Sequence, residues 1–172
     1  MTVYLSLPVY LAQWYAYEQH RLSGTLVPGY RYDVNCSKQT MEIIETRRGS
    51  VERAVFVENL TKQPKLSMPA KSPAAFTLRL AIPWTKDKPP VTYNTLSRRG
   101  ERSFEDVVRM RFRKDLYLWM ERHYDGGKRG VQLQDAIADY MAEHGIADTD
   151  QNYEAVKQQY RRQRDVYRKL SV

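Results

Sequence analysis

Reactive chemistry in this 172-residue chain would first be sought among three histidines, one cysteine and thirteen tyrosines. His20, His123 and His144 lie far apart, and no HxxxH, CxxC or HExxH spacing occurs through which side chains could close on a zinc ion. Cys36 has no histidine near it in the chain to take its proton. The glycine-rich patterns that cradle nucleotide phosphates, GxxxxGK[ST] and GxGxxG, are missing. Gly126-Gly127-Lys128-Arg129-Gly130 could offer backbone N–H groups to an anion ahead of a helix, but the same residues also make a helix stop and a flexible turn. Asp148 and Asp150 suit helix capping better than acid–base work. A tyrosine nucleophile set among arginines would suit strand transfer, yet both residue types are too numerous here to single one out. These residues predict a binding module rather than an enzyme, with no cofactor, no metal and no small-molecule substrate.

The cations are more informative. The chain carries 28 Lys and Arg against 20 Asp and Glu, a net charge of +8, and the excess is patterned. Residues 98–114 hold seven basic residues against Glu101, Glu105 and Asp106, and residues 151–172 hold six against Glu154 and Asp165. Between them, residues 131–150 contain five acids and no Lys or Arg. On a helix over residues 151–170, steps of about 100° per residue set Gln158, Arg162 and Lys169 opposite an apolar seam, flanked by Arg161 and Arg168. Arg and Lys neutralise phosphates, and Arg or Gln can pair bidentately with guanine or adenine edges. Arg109 and Arg113, with Lys128 and Arg129 in the following turn, would add phosphate contacts. The pattern predicts duplex DNA as partner.

The same side chains also suit a plain solvated face, steadied by an (i, i+4) ion pair from Arg161 to Asp165. Tyr153, Tyr160 and Tyr167 recur every seven residues, which fits packing within the chain or the seam of a homodimer that builds an assembly protein. Trp14, Tyr15, Tyr17, Tyr30 and Tyr32 belong to the core or else form a stacking surface for unpaired bases.

These side chains must be positioned by an α+β fold. Alternation of Val3, Leu5 and Leu7 predicts a short strand, Pro8 opens a helix to about His20, and residues 30–34 read as a strand. Ser50 caps a helix to about Thr61, and the proline- and lysine-rich residues 62–75 form a surface connection. Residues 76–82 and 91–96 predict a β-hairpin with a long basic tip. Residues 1–96 thus read as a small α+β unit, and residues 97–172 as a three-helix, helix-turn-helix-like element, either separate or in one compact domain.

The first of the three helices starts from Ser103 as cap and carries Phe104, Val108, Phe112, Leu116 and Trp119 on one face. The second covers residues 132–144 and ends at Gly145, with Ile146 folding back on Met141. Thr149 or Asp150 caps the third. No run approaches the roughly 20 apolar residues of a membrane span, and one cysteine makes no intrachain disulfide. The apolar N-terminal stretch lacks the basic start of a secretory signal, so the expected compartment is the cytoplasm.

Four stretches resemble uncharacterised proteins of mobile elements and prophages of Bacteroides-type bacteria. They are Arg48-Gly49-Ser50-Val51-Glu52, Phe112-Arg113-Lys114-Asp115-Leu116-Tyr117, Met141-Ala142-Glu143-His144-Gly145-Ile146 and Gln163-Arg164-Asp165-Val166-Tyr167-Arg168-Lys169. The resemblance implies a DNA-associated or phage-assembly role and assigns no site residue.

Overall fold

The computed structural model describes residues 1–37, 40–62 and 76–170. Strand β1 (Thr2–Leu5) buries Val3 and Leu5, the two residues that its alternation turns inward. Pro8 then accepts the N–H groups of Leu11 and Ala12 through its carbonyl and opens helix α1 (Val9–Ser23). The helix runs three residues beyond the expected end, to a left-handed Gly24 (φ 73°). Residues 30–34 form no strand. Their backbone is held by a side chain instead, since the Gln13 amide donates to the Tyr32 carbonyl at 3.4 Å.

Ser50 caps helix α2 (Val51–Glu58) by accepting the Arg53 N–H at 3.1 Å. The helix ends short of Thr61, where residues 60–62 pair as a strand instead, and Lys88 brings its ammonium to the carbonyls of Val57, Glu58 and Leu60. Strands β2 (Leu60–Lys62), β3 (Leu78–Ala81) and β4 (Tyr93–Leu96) follow. Apart from Lys62, the connection expected over residues 62–75 lies outside the described residues.

The expected hairpin does not form. β3 pairs antiparallel with β1, in the register Val3↔Leu80 and Leu5↔Leu78, while β4 pairs antiparallel with β2. Pro83, Pro89 and Pro90 remove three backbone donors from the intervening segment, which favours a long excursion over a tight turn. Leu78 and Leu80 find an apolar match in Val3 and Leu5, and all four are buried. Ile44 extends this sheet by one parallel bridge to Leu80.

Helix α3 (Arg98–His123) begins five residues before the expected cap. Ser97, not Ser103, caps it by accepting the Gly100 N–H at 3.1 Å. The early start puts Arg98, Arg99 and Arg102 on the helix and seats Gly100 against α2 and β4. A short 3-10 turn (Asp125–Gly127) leads to α4 (Leu133–Glu143), and α5 (Asp150–Leu170) closes the chain. The Ile146 N–H bonds the Met141 carbonyl at 2.9 Å after a left-handed Gly145 (φ 67°), as the sequence predicts. Thr149 supplies the side-chain cap of α5 through the Asn152 N–H at 3.2 Å. The architecture is α+β, with α3, α4 and α5 packed on one another as the helix-turn-helix-like element.

One apolar cluster contains residues from both sides of position 97. Trp14 of α1 meets Phe112 of α3 edge-on at 5.3 Å, Tyr15 meets Phe104 at 5.6 Å, and Phe56 of α2 adds to Phe104 at 5.9 Å. Each such side chain contributes roughly 1.5–3 kcal/mol by leaving water. Of the seam expected on α3, Phe104, Val108, Phe112 and Leu116 are fully buried, and Met120 takes the next place rather than Trp119. Trp119 is half-exposed and donates its indole N–H to Glu143 of α4 at 2.9 Å.

Candidate nucleic-acid interface

The two basic segments come together because α3 and α5 cross beside the start of α1. Gln13 of α1 fixes the entry of α5, with its Oε1 accepting from the Ala147 N–H at 3.0 Å and from the Asn152 amide at 3.3 Å. Further along, the Arg113 Nε–H donates to Oε1 of the buried Gln159 at 2.7 Å. Arg162 stands three residues, about one turn, beyond Gln159. The guanidinium charges of Arg109, Arg113 and Arg162 all act on the Tyr10 hydroxyl.

Tyr10 is buried, and burial raises its pKa above the ordinary phenol value although the three arginines pull it down. That sets it against the role of an activated nucleophile, which needs the opposite shift. Arg109 donates to Glu105 one turn back and to the Tyr10 hydroxyl at 3.4 Å. Burial, and then the neighbouring charges of Arg109 and Arg162, hold the pKa of Arg113 below its usual value. Three guanidinium groups that disfavour one another, opposed by Glu105 and Asp106, make a site of positive potential.

Around this centre the expected face of α5 is exposed. Gln158, Arg161, Arg162, Arg168 and Lys169 all lie in solvent, and none has an ion pair or hydrogen bond among the described residues. The expected Arg161–Asp165 ion pair is not made, because Asp165 is bonded by its neighbour Arg164 at 3.4 Å. Lys128 and Arg129 are exposed in the turn before α4, where Lys128 approaches Asp125 at 3.8 Å, and no contact joins either of them to the α3–α5 cluster. Gly126 and Gly127 have left-handed backbones and end α3 in a turn.

The other cations of α3 are dealt to different faces by the helical period. Arg111, midway between Arg109 and Arg113 in sequence, turns inward. It bonds Glu52 at 2.8 Å and approaches Glu18 at 3.5 Å, and both carboxylates are buried. Lys114 lines a separate groove of 660 Å3 with Arg47 and Arg48.

Two of the three seam tyrosines make contacts within the chain. Tyr160 is buried, and Tyr167 stacks on Tyr117 of α3 at 4.3 Å. The proposed stacking surface is likewise core at Trp14, Tyr15 and Tyr32, which are fully buried. Tyr17 and Tyr30 are partly buried against His144 and His20 respectively. The three histidines have separate structural partners: His20 with Glu42, His123 on Trp119, and His144 between Tyr140 and Asp115.

Sequence reasoning missed Tyr10 and Gln159. Gln159 is one glutamine among several on its helix, and only the crossing of α3 and α5 distinguishes it. No helix is long and apolar enough to cross a membrane among the described residues. Compared with protein-family models, with curated proteins and with solved structures, the chain matches none.

Proposed function

We propose that this protein is a DNA-binding module that grips duplex DNA through the exposed face of α5 and the adjoining arginines of α3. The observation that carries the reading is the exposed line of Gln158, Arg161, Arg162, Arg168 and Lys169 without internal partners, held beside α3 by the Arg113–Gln159 hydrogen bond. Cations already paired with carboxylates gain little from a phosphate, whereas unpaired ones release the counterions condensed on DNA. Gln158 and Arg162 lie on the outward line of the helix and serve as base-edge readers, with Arg161, Arg168 and Lys169 on the backbone. The exposed acids of α4, Asp135 and Asp139, stay off the phosphates in this pose. The role is non-catalytic, regulatory or accessory to a mobile element, and exercised in the cytoplasm.

The test is duplex binding by fluorescence anisotropy over a range of salt, for the natural chain and for Arg161→Ala with Arg162→Ala. The double variant should lose roughly tenfold or more in affinity, and its log–log salt slope should flatten by about one through loss of the Arg161 phosphate contact. Unchanged affinity with helical content intact would overturn the reading.

A further inference from the structure

On another part of the surface, α1, residues 43–48, α2 and the segment after β3 enclose a groove of 910 Å3, within the range of about 300–1,000 Å3 common for small-molecule sites. It shares no lining residue with the α3–α5 face. Two buried polar side chains line it and are incompletely satisfied. Gln19 and Thr46 are each 4% exposed, and neither the Gln19 Nε2 nor the Thr46 Oγ has a hydrogen-bond partner among the described residues. Leaving a buried donor unpaired costs about 1–3 kcal/mol, so such groups collect where a ligand completes them.

The Gln19 amide has a defined orientation. Its Oε1 accepts the Arg47 N–H at 2.9 Å, which leaves the Nε2 donor as the free end. Arg53 also lines the groove and donates to the Thr46 backbone carbonyl at 3.1 Å. Arg47 and Arg48 bring two more cations to the lining, against Glu45 as its one carboxylate. Trp84, at the end of the segment after β3, is 74% exposed and lines the same groove. A large aromatic held in water next to cations is suited to a planar ring that carries an anion.

We infer that this groove binds a nucleoside phosphate, with the base stacked on Trp84, the phosphate held by Arg47, Arg48 and Arg53, and acceptor atoms of the ligand met by Gln19 and Thr46. The ligand is either a free mononucleotide or the phosphorylated end of a strand. The inference stands independently of duplex binding by α5.

The experiment is calorimetric titration of the full chain with AMP, GMP, CMP and UMP, with adenosine, with inorganic phosphate, and with a single-stranded oligonucleotide bearing a 5′-phosphate. At least one monophosphate, or the phosphorylated strand, should bind about tenfold or more tighter than both adenosine and phosphate, since base and phosphate are each held. A strand that binds tighter than every monophosphate, and loses that advantage without its 5′-phosphate, identifies the strand end as ligand. Equal binding identifies the free nucleotide.

Trp84→Ala, and Arg47→Ala with Arg48→Ala, should each weaken the interaction about tenfold. Thr46→Val keeps the shape of the side chain and deletes the unpaired hydroxyl. It should weaken binding while the melting temperature stays level or rises. Absence of binding by every probe, phosphate binding as tightly as the nucleotides, or full affinity in both Trp84→Ala and Thr46→Val would overturn the inference.

Discussion

Arg113 of α3 and the buried Gln159 of α5 are joined by a 2.7 Å hydrogen bond from a guanidinium Nε–H to an amide oxygen. The bond sets the rotation of α5 about its own axis, and with it the direction in which Arg162 points. A charged donor makes the bond stronger than one between neutral groups.

Cutting that bond from either side has a defined cost. Gln159→Leu should lower stability by about 1–3 kcal/mol, because the Arg113 guanidinium loses a charge-assisted partner in a half-buried place. A double-mutant cycle with Arg113→Ala and Gln159→Ala should return a coupling of about 1 kcal/mol in urea denaturation. A coupling of zero would mean that the two helices are registered by apolar contacts alone.

Arg111 is the counter-charge for two buried carboxylates, Glu18 and Glu52. Arg21 also bonds Glu18, through its Nε at 2.6 Å, but reaches Glu18 alone. Arg111→Met should therefore cost roughly 2–4 kcal/mol, toward the lower end for a broken buried pair because Arg111 itself keeps some contact with water. Adding Glu18→Gln and Glu52→Gln should recover most of that loss in thermal melts.

Gly100 lies inside α3, where alanine would ordinarily gain up to about 1 kcal/mol in helix propensity. Here a Cβ would fall 2.8 Å from both the Asn59 Cβ and the Leu96 Cδ2. The close approach of α3 to the end of α2 and to β4 requires the missing side chain. Gly100→Ala should destabilise by about 1–3 kcal/mol instead of stabilising, as a fall in the denaturation midpoint.

Burial makes the protein sensitive to alkali. It raises the phenol of Tyr32 to about 12, and raises those of Tyr15 and Tyr140 further, aided by the nearby Glu52 and Asp115 carboxylates respectively. The unfolded chain gives up these protons near pH 10, whereas the folded chain retains them. Stability is therefore fully present below about pH 10 and falls as the pH rises toward 12, because the unfolded state binds fewer protons there. Phenolate absorbance should show these three ionising only together with the loss of helical signal.

Local physics was legible in the chain. The α3 seam from Phe104 to Leu116, the Ser50 cap and the Gly145–Ile146 turn onto Met141 all formed as their spacing predicts, because partners three to five residues apart meet through helix geometry alone. The solvent-facing line of Gln158, Arg162 and Lys169 on α5 has the same origin. The start of α3 was misplaced because Ser97 and Ser103 are both good caps, and what admits the extra turn is the space Gly100 finds against Asn59 and Leu96.

What the tertiary structure alone decided is which distant residues meet. The choice of β1 rather than β4 as the partner of β3 rests on apolar matches some 75 residues apart. The contacts of Arg109 with Tyr10 and of Arg113 with Gln159 need α1, α3 and α5 to lie side by side, and the groove of Gln19, Thr46 and Trp84 needs four segments to converge. Patterns of charge and hydropathy name the faces of each element. The pairing of those faces is set by complementary shape and by the cost of leaving a buried polar group unpaired, and both exist only once the chain has folded.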